Sequence, residues 1–131
     1  MYYHLTALVT LLAALFYGVT VASVGRARRT FGVKPPATTG HPDFERAFRV
    51  QMNTLEWMPI FLPSLWLFAI YINDAIAAAL GLIWIIGRIL YFVGYTKAAE
   101  KREVGFVIQM FACVILLLGA IGAVAWRLVL G

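Results

Sequence analysis

The sequence predicts an all-α integral membrane protein, a bundle of four transmembrane helices. Of its 131 residues, 63% are hydrophobic and only 13% are charged. Soluble domains typically have about 25% charged residues, and a soluble fold of this size could not bury so much apolar surface, so the excess should face lipid. A spanning helix needs roughly 20 apolar residues. Four spans and their loops therefore use residues 1–131 as one membrane domain, with no room for a soluble one.

The first span is predicted at about residues 2–24. No Lys or Arg precedes it, and it is longer than the apolar core of roughly 7–15 residues found in signal peptides, so we expect a retained helix. A loop is predicted from Gly25 to Pro42, in which Pro35-Pro36 forbids a continuous helix. Its basic residues are Arg26, Arg28, Arg29 and Lys34.

The remaining three spans are predicted at about residues 44–72, 75–95 and 104–130. Asp43 is placed to N-cap the second span, and Pro59 and Pro63 should kink it. The third span is expected to continue as helix to about residue 102.

Basic residues indicate the orientation of the bundle. They are concentrated in the first loop and in residues 97–102, whereas the turn at Asn73-Asp74 has no Lys or Arg. The positive-inside rule places both basic connections in the cytoplasm. The net charge of +5 is therefore attributed to the membrane surface rather than to nucleic-acid binding.

Polar residues inside the second span are functional candidates, because charge in a membrane helix is costly. At about 100° per residue, Arg49, Asn53 and Glu56 share one stripe, and Gln51 points almost the opposite way. Lipid satisfies neither face. We therefore expect a homo-oligomer in which this helix contributes to sites between subunits.

A second polar stripe is predicted on the third span if its helix continues past residue 95. Its members are Arg88, Tyr91, Tyr95 and Arg102. Guanidinium groups bind carboxylates, so an anionic, peptide-like ligand such as glutathione fits, and phospholipid headgroups fit less specifically. The arginines of the first loop could instead only anchor the chain to anionic lipid, and Glu56 could be a structural partner of Arg49 or Arg88.

No metal site or disulfide is predicted. His4 and His41 are far apart in the sequence, and Cys113 is the single cysteine. Because Cys113 lies in an apolar run without a base or cation nearby, we do not expect it to act as a nucleophile.

The string FERAFRVQMNTLEW at residues 44–57, with RILYFVGY at residues 88–95 and the Arg28-Arg29 pair, resembles the MAPEG family, membrane-associated proteins in eicosanoid and glutathione metabolism. The similarity covers nearly the whole chain, and its order, spacing and loop lengths agree with the branch that contains leukotriene C4 synthase, microsomal glutathione transferase 2 and the lipoxygenase-activating protein. The chain looks like a bacterial member.

The resemblance implies a homotrimer with glutathione, a co-substrate rather than a bound cofactor, held between neighbouring subunits. The residues that would hold it in one subunit are Arg49, Asn53, Glu56, Tyr91 and Tyr95. Arg28 and Gln51 would reach it from the neighbour. Arg102 aligns with the arginine thought to activate the thiol, and Arg29 with one proposed to assist at the acceptor side. Trp57 is a further candidate for glutathione binding: it stands where the eicosanoid enzymes usually have tyrosine, so stacking or packing would replace a phenolic hydrogen bond there.

The expected activity is a glutathione S-transferase acting on hydrophobic electrophiles that arrive through lipid. Reduction of lipid hydroperoxides and leukotriene C4 synthase-type chemistry are open to the same thiolate. The expected location is the bacterial inner membrane, with the active site toward the cytoplasm. The main alternative is a non-catalytic lipid-binding scaffold, and a transporter subunit is a second; the sequence does not identify the hydrophobic substrate.

Overall fold

The computed structural model describes residues 2–131, which form four long α-helices. Their bounds are α1 His4–Phe31, α2 Pro42–Tyr71, α3 Asp74–Lys97 and α4 Glu103–Leu130, with a 3₁₀ turn at Ala99–Arg102. Each helix is long and apolar enough to cross a membrane. The predicted all-α bundle of four membrane helices is thus confirmed. Because the connections are short, successive helices alternate in direction, and both basic connections lie at the same end of the bundle, which we call the basic end.

The first helix extends well beyond the predicted span. The sequence predicted a loop from Gly25, but α1 ends only at Phe31, so Arg26, Arg28 and Arg29 are helical. Basic side chains in a last helical turn interact favourably with the helix dipole. The helix ends at Gly32, whose φ of 66° is left-handed and whose N–H donates to the carbonyl of Arg28.

The start of α2 also differs from the prediction that Asp43 would be the N-cap. His41 is the N-cap, and its Nδ1 accepts a hydrogen bond from the backbone N–H of Asp43 at 3.1 Å. Pro42 occupies the first turn, where its missing N–H costs nothing. Asp43 instead pairs with Arg46 one turn later. The helix runs without a break through Pro59 and Pro63.

The prediction that α3 continues as helix to about residue 102 is wrong. The helix ends at Lys97, Ala98 is extended with φ −162° and ψ 140°, and the 3₁₀ turn leads directly into α4. The physical reason is a close approach at Gly94, where a Cβ would overlap the backbone of Lys101. The chain therefore folds back onto the end of α3 instead of extending it.

The backbones of α3 and α4 touch near the basic end. A Cβ placed on Gly105 would overlap the backbone nitrogen of Tyr91, and one on Gly87 would lie 2.6 Å from the backbone nitrogen of Gln109. Small residues permit this approach, which is a common way for helices to pack in lipid. Gly87 and Gly105, which we call the glycine contact, thus set the spacing of the two helices.

The larger core cluster lies further along the bundle, away from the basic end, and a smaller cluster around Phe44 lies at the basic end. Phe61 of α2 and Trp84 of α3 are both fully buried and stack with ring centroids 3.9 Å apart. At the far end, Asp74 links two helices because its carboxylate accepts a hydrogen bond from the backbone N–H of Thr6 at 3.0 Å. It thereby satisfies a free donor at the start of α1.

We predict that Gly105→Ala destabilises the bundle, whereas Gly122→Ala does not. Both changes give the same gain in helix propensity, but nothing lies within 4 Å of a Cβ at Gly122. Overpacking typically costs about 1–3 kcal/mol, so the melting temperature of Gly105→Ala should fall by at least about 5 °C. Thermal unfolding of both variants in the same detergent measures this, and equal melting temperatures would show that the glycine contact does not limit helix spacing.

Candidate functional site

An open cavity of about 550 Å³ lies between α2, α3 and α4, toward the basic end of the bundle. It is lined by Arg49, Asn53, Tyr91, Tyr95, Arg102, Glu103, Phe106 and Val107. Five of the ten site residues predicted from the sequence are therefore brought together. The two polar stripes do converge, as expected.

Helix α2 supplies the first wall of the cavity. Arg49 and Asn53 lie one turn apart and both line it. Glu56, two turns after Arg49, pairs with it, with 3.7 Å between the Arg49 Nη2 and Glu56 Oε1 atoms. Their side chains remain 49% and 56% exposed, although they lie well inside a membrane helix. Lipid does not solvate such charges, so this face needs a polar ligand or further protein against it.

Helix α3 supplies a phenolic wall. The rings of Tyr91 and Tyr95 lie 5.4 Å apart between centroids. Tyr91 is almost completely buried, and its ring also lies near that of Phe106, with 6.2 Å between centroids. The phenols thus lie beside Phe106 in the first turn of α4.

Arg102 reaches the cavity from the 3₁₀ turn and not from a continuation of α3. Its guanidinium carbon lies 5.6 Å from the centroid of the Tyr95 ring, and its Nη1 donates to the backbone carbonyl of Ala99 at 2.8 Å. The helical wheel placed Arg102 beside the tyrosines on the assumption of a continuous helix. The fold achieves the same neighbourhood because the chain turns back over the end of α3.

Arg88 lies in the protein interior beside the cavity. It is fully buried, and its Nη1 and Nη2 donate to the Asn53 Oδ1 at 2.8 Å and the Thr54 Oγ1 at 2.6 Å. Its guanidinium carbon lies 4.4 Å from the centroid of the Tyr91 ring, a favourable cation–π distance. The sequence put Arg88 on the same stripe as the tyrosines, but it supports the wall of the cavity and does not line it.

Several predicted residues lie outside the cavity in the single chain. Gln51 faces α1, where its Nε2 lies 3.5 Å from the Tyr17 hydroxyl, so it does point away from Arg49. Arg28 donates to the carbonyl of Ala37 at 2.8 Å and lies over the Phe44 ring. Arg29 is exposed.

Trp57 contributes to the cavity indirectly. Its ring packs edge-on against Phe106, with 5.8 Å between centroids, and Phe106 lines the cavity. Trp57 also packs against the apolar core. It therefore supports the apolar wall of the site and does not face the polar side chains.

Three lining residues were not predicted from the sequence: Glu103, Phe106 and Val107. A signal was available, because Phe106 follows Arg102 by four positions and Val107 follows Glu103 by four. Such pairs share a helix face. Treating Arg102 as the start of α4, and not as the end of α3, would have shown that this face continues the site.

The chemistry of the cavity favours an anion that carries an apolar group. The charge of Arg49 is partly neutralised by its ion pair with Glu56, whereas Arg102 donates its hydrogen bond to a neutral carbonyl. Guanidinium and amide donors bind carboxylates and thiolates well, and Phe106 and Val107 offer an apolar surface beside them. Cys113 is buried in the apolar core and does not line this cavity. Among residues 2–131, no three His, Cys, Asp or Glu side chains are grouped as a metal site.

Comparison with known proteins agrees with this organisation. An uncharacterized protein of Synechocystis is 57% identical over 93% of this chain and 89% of its own length. Human microsomal glutathione S-transferase 2 is 46% identical over 90% of this chain and 81% of its length. Rat leukotriene C4 synthase is 45% identical over 75% of this chain and 65% of its length.

The family relationship extends over most of the bundle. The sequence model of the MAPEG family matches residues 6–122, a range that includes all of α2 and α3, most of α1 and α4, and every residue of the cavity. Together with the four apolar helices, this match identifies an integral, multi-pass membrane protein that belongs to the MAPEG family.

Proposed function

We propose that the protein is a membrane-bound glutathione S-transferase that joins the glutathione sulfur to hydrophobic electrophiles. The observation that carries this proposal is the cavity in which Arg49, Asn53, Tyr91 and Tyr95 face Arg102. The similarity to microsomal glutathione S-transferase 2 supports glutathione as the ligand. It extends over both polar helices that form the cavity.

Glutathione matches the groups that line the cavity together with the Glu56 carboxylate, which pairs with Arg49 beside it. It has two carboxylates, one ammonium group and two amides along an extended tripeptide. Arg49 and Asn53 would bind its carboxylate and carbonyl oxygens, Glu56 its ammonium group, and the two tyrosines its remaining acceptors. These groups lie on two rigid helices, so the peptide would be held in one orientation.

Arg102 would activate the thiol. A free thiol has a pKa of about 8.5, and only the thiolate is a good nucleophile. Lowering this pKa by about 2 units requires roughly 2.7 kcal/mol, which a nearby guanidinium in a partly desolvated site can provide. Because Arg102 has no carboxylate within 4.0 Å in the described part of the chain, its charge is available to the sulfur.

The thiolate then attacks a carbon of the electrophile and forms a C–S bond. In aromatic substitution a halide leaves; in epoxide opening the C–O bond breaks and the alkoxide takes a proton from water. A lipid hydroperoxide is a second possible acceptor: the sulfur takes its outer oxygen and the alcohol leaves, and a second glutathione completes the disulfide and releases water. Arg29 would assist at the acceptor side, and leukotriene C4 synthase-type conjugation is the same epoxide chemistry.

We further propose a homotrimer in which neighbours complete each site. The exposed Arg49–Glu56 pair requires polar cover inside the membrane, and Gln51 presents an amide on a different face of the same helix. Arg28 and Gln51 of one subunit would then reach the glutathione held by the next. In the inner membrane, with the basic end in the cytoplasm, the site would face the compartment that maintains glutathione.

A lipid-binding scaffold without catalysis is the second candidate. It is favoured by an apolar groove of about 390 Å³ between α2 and α4, lined by residues that include Pro63, Leu67 and Leu117. That groove lies away from the polar cavity and could hold an acyl chain. Because the arginines and tyrosines of the cavity would have no role in such a scaffold, we favour the enzyme.

We predict that Arg102→Ala lowers the rate of glutathione conjugation to a generic aromatic electrophile at least about tenfold, because a charge that stabilises the thiolate is lost. The matched control is Lys101→Ala, which removes the neighbouring exposed cation of the same turn and should stay within about twofold of wild type. Steady-state rates of the purified proteins in detergent measure both. Full activity in Arg102→Ala would remove this residue from the mechanism, and a wild type inactive toward electrophiles and hydroperoxides would favour the scaffold.

The proposal that neighbouring subunits share each site leads to a second prediction. Arg102→Ala and Arg28→Ala subunits, co-expressed with different tags and purified through both, should recover about a third of wild-type activity. In every mixed trimer, one boundary joins an intact Arg102 to an intact neighbouring Arg28.

Mixed trimers of Arg102→Ala and Arg49→Ala are the control, because both residues belong to the same subunit's half of the site. No intact site forms in them, so their activity should stay at the level of the single variants. Equal recovery in the two mixtures, or none in either, would contradict sites shared between neighbours.

A further inference from the structure

Arg88 is a buried cation without an acidic partner. It is fully buried, and no carboxylate among the described residues lies within 4.0 Å of it. Its strongest contacts are neutral oxygens of α2, on Asn53 and Thr54. A buried unpaired charge normally costs several kcal/mol, so such a residue calls for a role beyond filling space.

The hydrogen bonds around Arg88 have only one possible direction. A guanidinium group donates and never accepts, so the Asn53 side chain must turn its Oδ1 toward Arg88 Nη1, at 2.8 Å. Thr54 receives the second donor of Arg88 at 2.6 Å and passes its own hydroxyl proton to the carbonyl of Val50 at 2.7 Å. Both ends of this network are therefore fixed, and the Asn53 amide cannot flip.

The consequence appears at the cavity wall. With its Oδ1 held by Arg88, the Asn53 side chain has only its Nδ2 amide hydrogens to offer the cavity that it lines. Those hydrogens are donors. An asparagine without this bond would sample two common χ1 rotamers and two amide orientations, so only about one conformer in four would present donors to the ligand.

We propose that Arg88 is a positioning residue for glutathione binding: it holds the Asn53 amide so that this side chain always presents donors to an oxygen of the tripeptide. This inference rests on the proposed function. It assigns Arg88 no contact with substrate and no part in thiol activation. Its effect is therefore on affinity, and it acts entirely through Asn53.

Double-mutant analysis separates this role from a structural or general electrostatic one. The four proteins are wild type, Arg88→Met, Asn53→Ala and the double variant, and the measured quantity is the dissociation constant of S-methylglutathione by calorimetry. This ligand has no free thiol, so the measurement is independent of Arg102 chemistry. Asn53→Ala should weaken binding at least about tenfold. Arg88→Met should weaken it about fourfold, because only about one Asn53 conformer in four then presents donors. The double variant should bind no more than about twofold more weakly than Asn53→Ala.

Two further variants keep the test decisive if Arg88→Met does not fold. Asn53→Asp retains an acceptor for Arg88 but replaces the amide donors with an oxygen, so it should also weaken binding at least about tenfold. Gln109→Met is the control: Gln109 is equally buried, and its Nε2 and Oε1 have no hydrogen-bond partner within residues 2–131. It should bind within about twofold of wild type.

The kinetic constants should show the same separation between glutathione binding and thiol activation. Arg88→Lys should show the pH profile of wild-type kcat and, because it keeps a charged donor, should recover most of the affinity lost in Arg88→Met.

The inference for Arg88 would be overturned if the losses of affinity in the two single variants multiplied in the double variant, or if Asn53→Asp bound the ligand as tightly as wild type. Absence of any S-methylglutathione binding by the wild type would instead remove the proposed function itself.

Discussion

The close approach of α3 and α4 at the glycine contact is the constraint on which the rest of this structure depends. Because Gly105 lies against the backbone of Tyr91 and Gly87 against Gln109, the two helices meet without intervening side chains. Tyr91 and Tyr95 are therefore held at a fixed distance from the first turn of α4, where Phe106 lies. A wider spacing would separate the phenols from Arg102 and open the cavity to lipid. The polar site thus depends on two residues without side chains.

A second constraint is that lipid offers no partners to polar groups. Inside the single chain this is met at Arg88, whose hydrogen bonds to Asn53 and Thr54 and cation–π contact with Tyr91 tie α3 to α2. It is not met at the exposed Arg49–Glu56 pair. The polar side chains on the inner side of α2 therefore have protein partners around them, whereas the charged pair on its outer side is left exposed. A subunit that shares its sites with neighbours would show this asymmetry, so it supports the proposed sharing of sites on grounds separate from the family relationship.

The four spans and one side of the site could be predicted from the sequence, because composition, helical period and charge act locally. The α2 stripe and the opposite direction of Gln51 follow from 100° per residue alone. The helix ends could not be predicted in the same way. The helical wheel placed Arg102 beside the tyrosines, but it assumed a continuous helix that the structure does not have. The turn at Ala98 depends on the packing of Gly94 against Lys101, and a tertiary contact of this kind cannot be read from local sequence. The cap at His41 and the extension of α1 to Phe31 likewise depend on alternatives that local propensity ranks as nearly equal.

The position of Arg102 separates binding from chemistry. The side chains proposed to hold the tripeptide come from the interiors of α2 and α3, and Arg88 fixes one of them from behind. Arg102 comes from a four-residue turn and is exposed, with a single bond to the Ala99 carbonyl. Rigid helices suit binding side chains, which must present the same donors to each glutathione molecule, because any freedom of orientation that binding removes costs affinity. A short turn at the cavity mouth suits a charge that must lie beside the sulfur and still leave room for an electrophile entering from lipid. On this arrangement the electrophile would meet the thiolate at the apolar wall formed by Phe106, which Trp57 supports. Trp57, in the place of the usual tyrosine, would therefore affect the choice of electrophile, whereas the polar side chains of α2 and α3 would bind glutathione.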